Sequence, residues 1–548
     1  MSAPTWGQTT PNLDTFREIA ATGARVIPVV RRVLADDTTP VGLYRTLAHG
    51  TPGSFILESA DAAGGWARWS FVGVASRAQL TSVDGQAHWI GDVPAGIPTS
   101  GDVVDVLDAT LRTLATAPSE QTIFGEGLPP LTGGMAGTLG WEIVRHWEPT
   151  LRSDSPDELG APELALCLAT DLVAIDHHTG SVWLIANAIN MDGSNERVEW
   201  AHADAVERLN AIEARLAAGG PRITSVVDEA ASEPTLEFRT DQATFEAAVA
   251  KAKQAIIDGE VFQVVLSQRI DLECSADPLD VYRALRTINP SPYMYYFHLA
   301  DSRPGLNADD ASATDFYVVG ASPETLIKVD HGHVTTYPIA GSRPRGVTVE
   351  DDVALAEGLL KDPKELSEHV MLVDLSRNDL TKVCWPESVE VVEFIKLRRF
   401  SHVMHLCSTV VGQLRADTTA LDAYRATFPA GTLSGSPKPR AIALIDELEP
   451  AARGVYGGTV GYFDFGGNLD MAIAIRTAFI KHGRASVQAG AGIVADSVPT
   501  SEWEESRNKA AAAVRAVQLA TRLRPLPGSF ASGQAEKPDA SDQYADAP

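Results

Sequence analysis

The chain has only four cysteines, Cys167, Cys274, Cys384 and Cys407, and none is in a C-x-x-C spacing. That argues against a zinc site or a disulfide framework, and it fits a reducing cytoplasm. No apolar run is long enough to span a bilayer. The start, MSAPTWGQTTPNLDTF, has neither a basic patch nor an apolar core, so no signal peptide is expected. Basic residues are few. Lys and Arg number 45 against 72 Asp and Glu, a formal net charge of -27. Such a chain repels phosphate, which argues against nucleic acid or a membrane surface as partner. Any anionic substrate needs a locally positive or metal-containing pocket. Nucleotide motifs are also missing. GTLSGSPK lacks the Gly-Lys-Ser/Thr ending of a P-loop, and GAGIVADS lacks the G-x-G-x-x-G spacing. A loop such as Gly431–Ser436 entering a helix can still hold a carboxylate on its backbone N–H groups. There is no G-x-S-x-G elbow, which argues against covalent hydrolysis.

What is present is an ordinary globular composition, 44% hydrophobic and 21% charged over 548 residues. Two or three domains or subdomains are expected at that length. Two stretches, KELSEHVMLVDLSRND from Lys364 and SEWEESRNK from Ser501, read as helix. Each carries two carboxylates three residues apart, Glu365 with Glu368 and Glu502 with Glu505. Residues i and i+3 share a helix face. If the faces meet, four carboxylates surround one volume and call for protons or a hard cation, Mg2+ or Ca2+. If they do not, they are solvated helix faces. Spacing alone leaves both readings open.

Taken in order, residues 1–12 are polar and read as a flexible N-terminus. Residues 13–218 form an N-terminal region of strands and short helices, and polar residues 219–235 are the candidate linker. A C-terminal region spans 236–525, and 526–548 reads as a disordered tail. Phe245, Val249, Ala252 and Ile256 recur at helical spacing before a stop at Gly259. VFQVVLSQRI then alternates as a strand, with Phe262, Val264 and Leu266 on one face. Gln263 falls on the other, mostly apolar face, where it either braces the core or faces a site. Residues 289–299 turn at prolines into an aromatic strand, and 301–314 read as an exposed hairpin loop. Glu324 lies just past Pro323. His402 and His405 fall on opposite faces of a strand.

Nine segments then carry a resemblance: VFQVVLSQ, GASPETL, YPIAGSRPRG, KELSEHVMLVDLSRNDL, FSHVMHL, PAGTLSGSPK, AIAIRTA, AGAGIVADS and SEWEESRNKA. In this order they resemble the chorismate-utilising enzymes, and among them the large, chorismate-converting subunits of anthranilate synthases. The resemblance implies an α/β fold of the α+β type, with antiparallel β-sheets stacked as a sandwich and helices outside. It implies Mg2+ held by Glu368 and Glu505, with Glu365 and Glu502 in support, against the ring carboxylate of chorismate. Glu324 matches the general acid that protonates the departing ring hydroxyl. Gln263 stands where water-adding relatives carry a base, which implies ammonia as nucleophile. His405 matches the histidine linked to pyruvate elimination. Thr432, Gly490 and Gly492 match substrate hydrogen-bonding groups, and Tyr456 and Arg476 the grip on the enolpyruvyl carboxylate. Gly341 and Lys509 complete the implied substrate site. Ala340 stands where aminodeoxychorismate synthases carry an attacking lysine. Glu58, Ser59, Pro292, Tyr293 and Met294 resemble a regulatory tryptophan pocket.

The implied activity is a Mg2+-dependent lyase taking chorismate and ammonia to anthranilate and pyruvate in the cytoplasm. No glutaminase-like cysteine motif is present, so a glutamine amidotransferase subunit is the implied partner, in a heterotetramer of two large and two small subunits. Aminodeoxychorismate synthase, isochorismate synthase and a non-catalytic tryptophan-responsive subunit are the alternatives.

Overall fold

The computed structural model describes residues 5–60, 68–116, 128–151, 155–301, 315–399 and 403–526. His402, the tail beyond 526 and all but the first residue of the 301–314 loop lie outside the described residues.

The strand Leu164–Asp176 is buried at all 13 positions, as its unbroken apolar run requires of a central strand. Pairing spreads from it in two directions. One path runs through Trp69–Val83, Ser54–Glu58, Tyr293–Ala300, Asp315–Ser322, Thr477–Lys481 and Arg484–Ile493 to Gln263–Glu273. The other runs through Gly134–Leu139, Thr459–Asp464, Leu469–Ile473, Thr325–Asp330 and His333–Thr336 to Val403–Gln413. Ile339–Pro344 and Glu390–Arg399 flank that last strand. Among the described residues every pairing is antiparallel, as expected.

One apolar core, with Phe55, Phe297, Phe316, Ala136 and Val460, lies between the two paths. Two more lie under helices on the outer faces. Pro278–Ile288 and Pro499–Ala520 cover one face, and Ala420–Thr427 and Lys438–Leu448 the other. The sandwich with outer helices is thus present. Residues from both sides of 219–235 alternate within the sheets: Met294 pairs with Glu58, and Phe463 with Met135. Within 219–235, the short strand Ser225–Val227 pairs with Leu523–Pro525. At the start of the chain, Thr9 and Thr10 pair with Arg31 and Val30.

Local signals work where the chemistry is local. The Asp241 side chain caps Gln242–Ile257 by accepting from Thr244 N, and Phe245, Val249 and Ala252 are buried on its inner face. Asp362 caps Pro363–Thr381 by accepting from the N–H groups of Lys364 and Glu365. Phe262 departs from expectation. It is 73% exposed, because the strand begins only at Gln263 and the chain is still leaving the preceding helix. Among the described residues no helix is long and apolar enough to cross a membrane.

Candidate active site

Glu324 follows Pro323 in the break between Asp315–Ser322 and Thr325–Asp330. Its carbonyl accepts from Ile473 N at 3.0 Å, and its Oε1 accepts from Thr432 Oγ1 at 2.9 Å. Burial of the carboxyl raises its pKa from the ordinary value to about 7, against the opposing pulls of Thr432, Lys509 and Arg476. Thr432 lies on the short helix Gly431–Ser434. Here the missing side chain of Gly431 matters, since a Cβ would lie 2.3 Å from Leu375 Cδ2 of the Pro363–Thr381 helix. The Thr432 turn is therefore seated directly on the helix of the first acid pair.

Gln263 is 5% exposed, and its Nε2 donates to Glu368 Oε1 at 3.4 Å. A Cβ on Gly492 would meet that same nitrogen at 2.6 Å, so the glycine makes room for the amide. Gly490 similarly admits Tyr456, whose Oη would lie 2.9 Å from a Cβ there. Lys509 Nζ donates to the Gly490 carbonyl at 3.2 Å and pairs with Glu505 at 2.7 Å.

Gly341 sits at a register shift between Ala340 and Ser342, with φ +68. Glycine fits this left-handed bulge position on two counts: a Cβ would also approach Glu365 Oε2 to 3.1 Å. The bulge aims the Gly341 carbonyl at His405, whose Nδ1 donates to it at 2.9 Å. In the neutral ring Nε2 is then the acceptor nitrogen. Burial lowers the His405 pKa, and the nearby cations Arg476 and Lys509 lower it further. Arg476 holds φ +50, a left-handed backbone for a non-glycine residue. No hydrogen-bond acceptor for its guanidinium is found among the described residues. Burial lowers its pKa while the Glu324 charge raises it. A half-buried guanidinium with no acceptor among the described residues, beside a neutralisable carboxyl, suits a carboxylate ligand.

The four acidic residues stand as two pairs. Among the described residues no three His, Cys, Asp or Glu side chains converge closely enough to hold one ion. Lysines lie near both pairs: Lys364 and Lys509 each lower the pKa of Glu368 and of Glu502. Both carboxyls are nevertheless raised, first by burial, and also by the neighbouring charges of Glu365 and Glu505 respectively. The donor set is all oxygen, with surplus negative charge. It fits a hard ion taking one or two direct carboxylates, water and an anionic ligand, the style of Mg2+.

The strand end at Glu58 and the turn before Tyr293 also meet. Ala60 N donates to Ser291 O at 3.0 Å, beside the half-buried Ser59 and Pro292. The Glu58 carboxylate is taken by Arg286, at 3.0 and 3.1 Å, and by the Tyr282 hydroxyl at 2.5 Å. Tyr293 Oη donates to Asp470 at 2.8 Å, and Met294 is buried.

Some of what shapes the site gives no sequence signal. Lys438 Nζ, in the SGSPK segment, reaches Asp379 Oδ2 and the Thr427 carbonyl, both at 2.8 Å. It ties the Thr432 loop to the Pro363–Thr381 helix. Arg453 and Glu449 form a buried pair behind the same loop. A cleft elsewhere, lined by Phe16, Ile27, Met191 and Trp200, is mostly apolar and holds none of these residues.

The family described as chorismate binding enzyme matches residues 54–515. Anthranilate synthase component 1 of Arthrobacter globiformis is 54% identical over 519 residues, covering 94% of each chain. The protein of the same name from Mycobacterium tuberculosis is 49% identical, covering 96% of this chain and 98% of its own. Among solved structures, anthranilate synthase component I from Streptococcus pneumoniae superposes with a TM-score of 0.68 at 34% identity, covering 82% of this chain and 92% of its own. The menaquinone-specific isochorismate synthase of Escherichia coli has the same fold, with a TM-score of 0.64 at 18% identity over 92% of this chain and 99% of its own. On a match this long and a fold so shared, the chain belongs to the chorismate binding enzymes, together with the component 1 chains of anthranilate synthase.

Proposed function

We propose that this chain converts chorismate and ammonia to anthranilate and pyruvate, the first step of tryptophan biosynthesis. The observation that carries this reading is the buried Gln263 amide, held between Glu368 and Gly492. An amide cannot deprotonate water, whereas neutral ammonia is nucleophilic enough to add to the ring without a base. Ala340 points the same way, since a methyl group cannot attack the ring as a lysine would. Glu324, with its proton retained up to about pH 7, donates to the departing ring hydroxyl, which leaves as water while the C–N bond forms. Thr432 fixes the carboxyl that gives the proton. In the second step the ring loses a proton and the enolpyruvyl C–O bond breaks, releasing pyruvate. His405, with Nε2 as acceptor, is assigned to that step. Tyr456 and Arg476 hold the enolpyruvyl carboxylate, and Gly490 and Gly492 let the backbone approach the ring. Glu368 and Glu505, with Glu365 and Glu502 in support, would hold Mg2+, which when bound would supply positive charge for the ring carboxylate.

The name component 1 on the relatives supports a partner component. We assign that partner as a glutamine amidotransferase, in a cytoplasmic assembly of two large and two small subunits. Tryptophan is assigned as feedback inhibitor at Ser59 and the Pro292–Met294 turn. The test is direct. Purified chain with chorismate, Mg2+ and ammonium at alkaline pH should release fluorescent anthranilate and one pyruvate per turnover, less when tryptophan is added. Isochorismate or an unaromatised amine as the end product would overturn the reading, and turnover with glutamine alone would overturn the separate partner.

Arg476→Ala removes the guanidinium but not the reacting groups. It should raise the KM for chorismate by about 10–100-fold, since a bond to a charged group contributes about 1.5–3 kcal/mol. Steady-state kinetics at saturating ammonia checks this, and an unchanged KM would remove Arg476 from the substrate grip.

A further inference from the structure

We propose that Arg453 is a positioning residue of the reaction assigned above: its buried guanidinium holds the Thr432 turn, the Gln263 strand and Tyr456 in one fixed arrangement. The inference rests on that assignment of the reaction. Arg453 is 1% exposed and touches none of the groups assigned to meet the ring except the face of Tyr456, which lies 5.4 Å from its guanidinium carbon. Its contacts instead run to the backbone behind them. Nη1 donates to the carbonyl of Leu433 at 2.8 Å, the residue next to Thr432. Nη2 donates to the carbonyl of Val265 at 2.8 Å, two residues along the strand from Gln263 and paired with Gly492. The Arg453 carbonyl accepts from Tyr456 N at 3.3 Å.

The guanidinium is itself held on every side. Nε and Nη2 donate to the two oxygens of Glu449 at 2.8 and 2.6 Å. Glu449 Oε1 also accepts from the N–H and hydroxyl of Ser267, both at 2.8 Å, and Ser267 pairs with Gly490. The Trp141 ring lies 4.4 Å from the guanidinium carbon. From the other side, the Glu142 carboxyl accepts the N–H groups of Arg453 and Gly454 at 3.0 and 3.1 Å. A planar cation with fixed donors can register two backbone segments and an aromatic face at once, which a point charge on a flexible stem cannot. Misplacement of a catalytic group by about 1 Å costs about 100-fold in rate, so such a register has kinetic consequences.

Removing one partner of a buried pair leaves a stranded charge, whereas replacing both with apolar residues often keeps the fold. The informative variant is therefore Arg453→Met with Glu449→Leu, beside Arg453→Lys. In ammonia-dependent assays both should melt within several degrees of wild type, lose about 10–100-fold in kcat, and change the KM for chorismate less than threefold. Because the Thr432 hydroxyl lowers the Glu324 pKa, a loosened Thr432 turn should also move the alkaline limb of kcat/KM to higher pH. A packing role alone would change stability and leave that limb in place. Folded variants with kcat within twofold of wild type, or a kcat loss no larger than the unfolded fraction with the limb unmoved, would overturn the inference. Wild-type enzyme run alongside separates this from the reaction itself. If wild type makes no anthranilate, the assigned function fails, whereas normal wild type with indifferent variants sinks only the positioning role.

Discussion

Glu324→Gln is expected to lower kcat by about 10²–10⁴-fold, the range for losing a positioned general acid, while leaving the chain folded. The amide has the shape of the carboxyl and still accepts from Thr432, but it has no proton to give to a leaving hydroxyl. The pH behaviour carries more information than the loss itself. Burial raises the carboxyl to about 7, so between about 4.5 and 7 it keeps a proton that an exposed glutamate would have released. The acid is competent below the raised pKa and is lost as pH rises through it. Plotted against free ammonia rather than total ammonium, kcat/KM for chorismate should therefore fall above about pH 7 in wild type. The stability term has the opposite sense from that of a salt-bridged carboxylate. Across the same window the unfolded chain binds fewer protons than the folded one, so stability falls as pH rises from 4.5 to 7. Glu324→Gln removes that penalty. The slow enzyme should be more heat-stable than wild type at pH 8, by at most about 3 kcal/mol, with the difference vanishing near pH 4. Melting curves at the two pH values check this. A variant that is slow and also less stable at pH 8 would mean that Glu324 is a structural carboxylate.

Whatever depends on near neighbours was legible in the residues themselves. Alternation placed Gln263 on an apolar face, and it is buried. The glycine after Ala340 occupies a bulge that glycine suits, because φ there is +68 and Glu365 leaves little room for a Cβ. The buried Phe245, Val249 and Ala252 face of the Gln242–Ile257 helix followed from spacing. What spacing does not encode is which strand lies beside which. Ser54–Glu58 pairs with Tyr293–Ala300 across more than 200 residues, and no periodicity in either names the other. For the same reason Arg453 and Lys438 gave no signal. Lys438 opens a helix and Arg453 lies in the loop beyond that helix's end, and their roles come from carbonyls 11 to 188 residues away. Phe262 misled because an alternating pattern does not mark where a strand starts. The acid pairs show the limit most clearly. Three-residue spacing located both faces, but only the folded chain reveals that lysines from each helix act on carboxyls of both.

Those pairs yield a prediction whose sign, not merely its size, separates two readings. If Glu368 and Glu505 were only solvated faces, then Glu368→Gln or Glu505→Gln would remove a negative charge near the place assigned to a dianionic substrate. Chorismate would then bind more tightly. At 4 Å and an effective dielectric constant of about 20, one such repulsion amounts to about 4 kcal/mol, so the gain could approach 1,000-fold. If the carboxylates hold Mg2+, the same changes weaken binding, because the charge they remove is what keeps the cation in place. Loss of groups that merely support a metal costs about 10–100-fold in affinity, and direct ligands should cost at least as much. Calorimetric titration of chorismate into wild type should therefore give an affinity that rises with Mg2+. By linkage, the affinity for Mg2+ should rise with chorismate by the same factor. Glu368→Gln and Glu505→Gln should each lose about 100-fold in chorismate affinity with Mg2+ present and show little response to its removal. Glu505 is the sharper case, since it already pairs with Lys509 at 2.7 Å and its loss frees a cation that should itself attract the substrate. Weaker binding despite that freed lysine has no explanation in simple charge repulsion. Tighter binding in either variant, or wild-type affinity indifferent to Mg2+, would return both helices to the solvated-face reading.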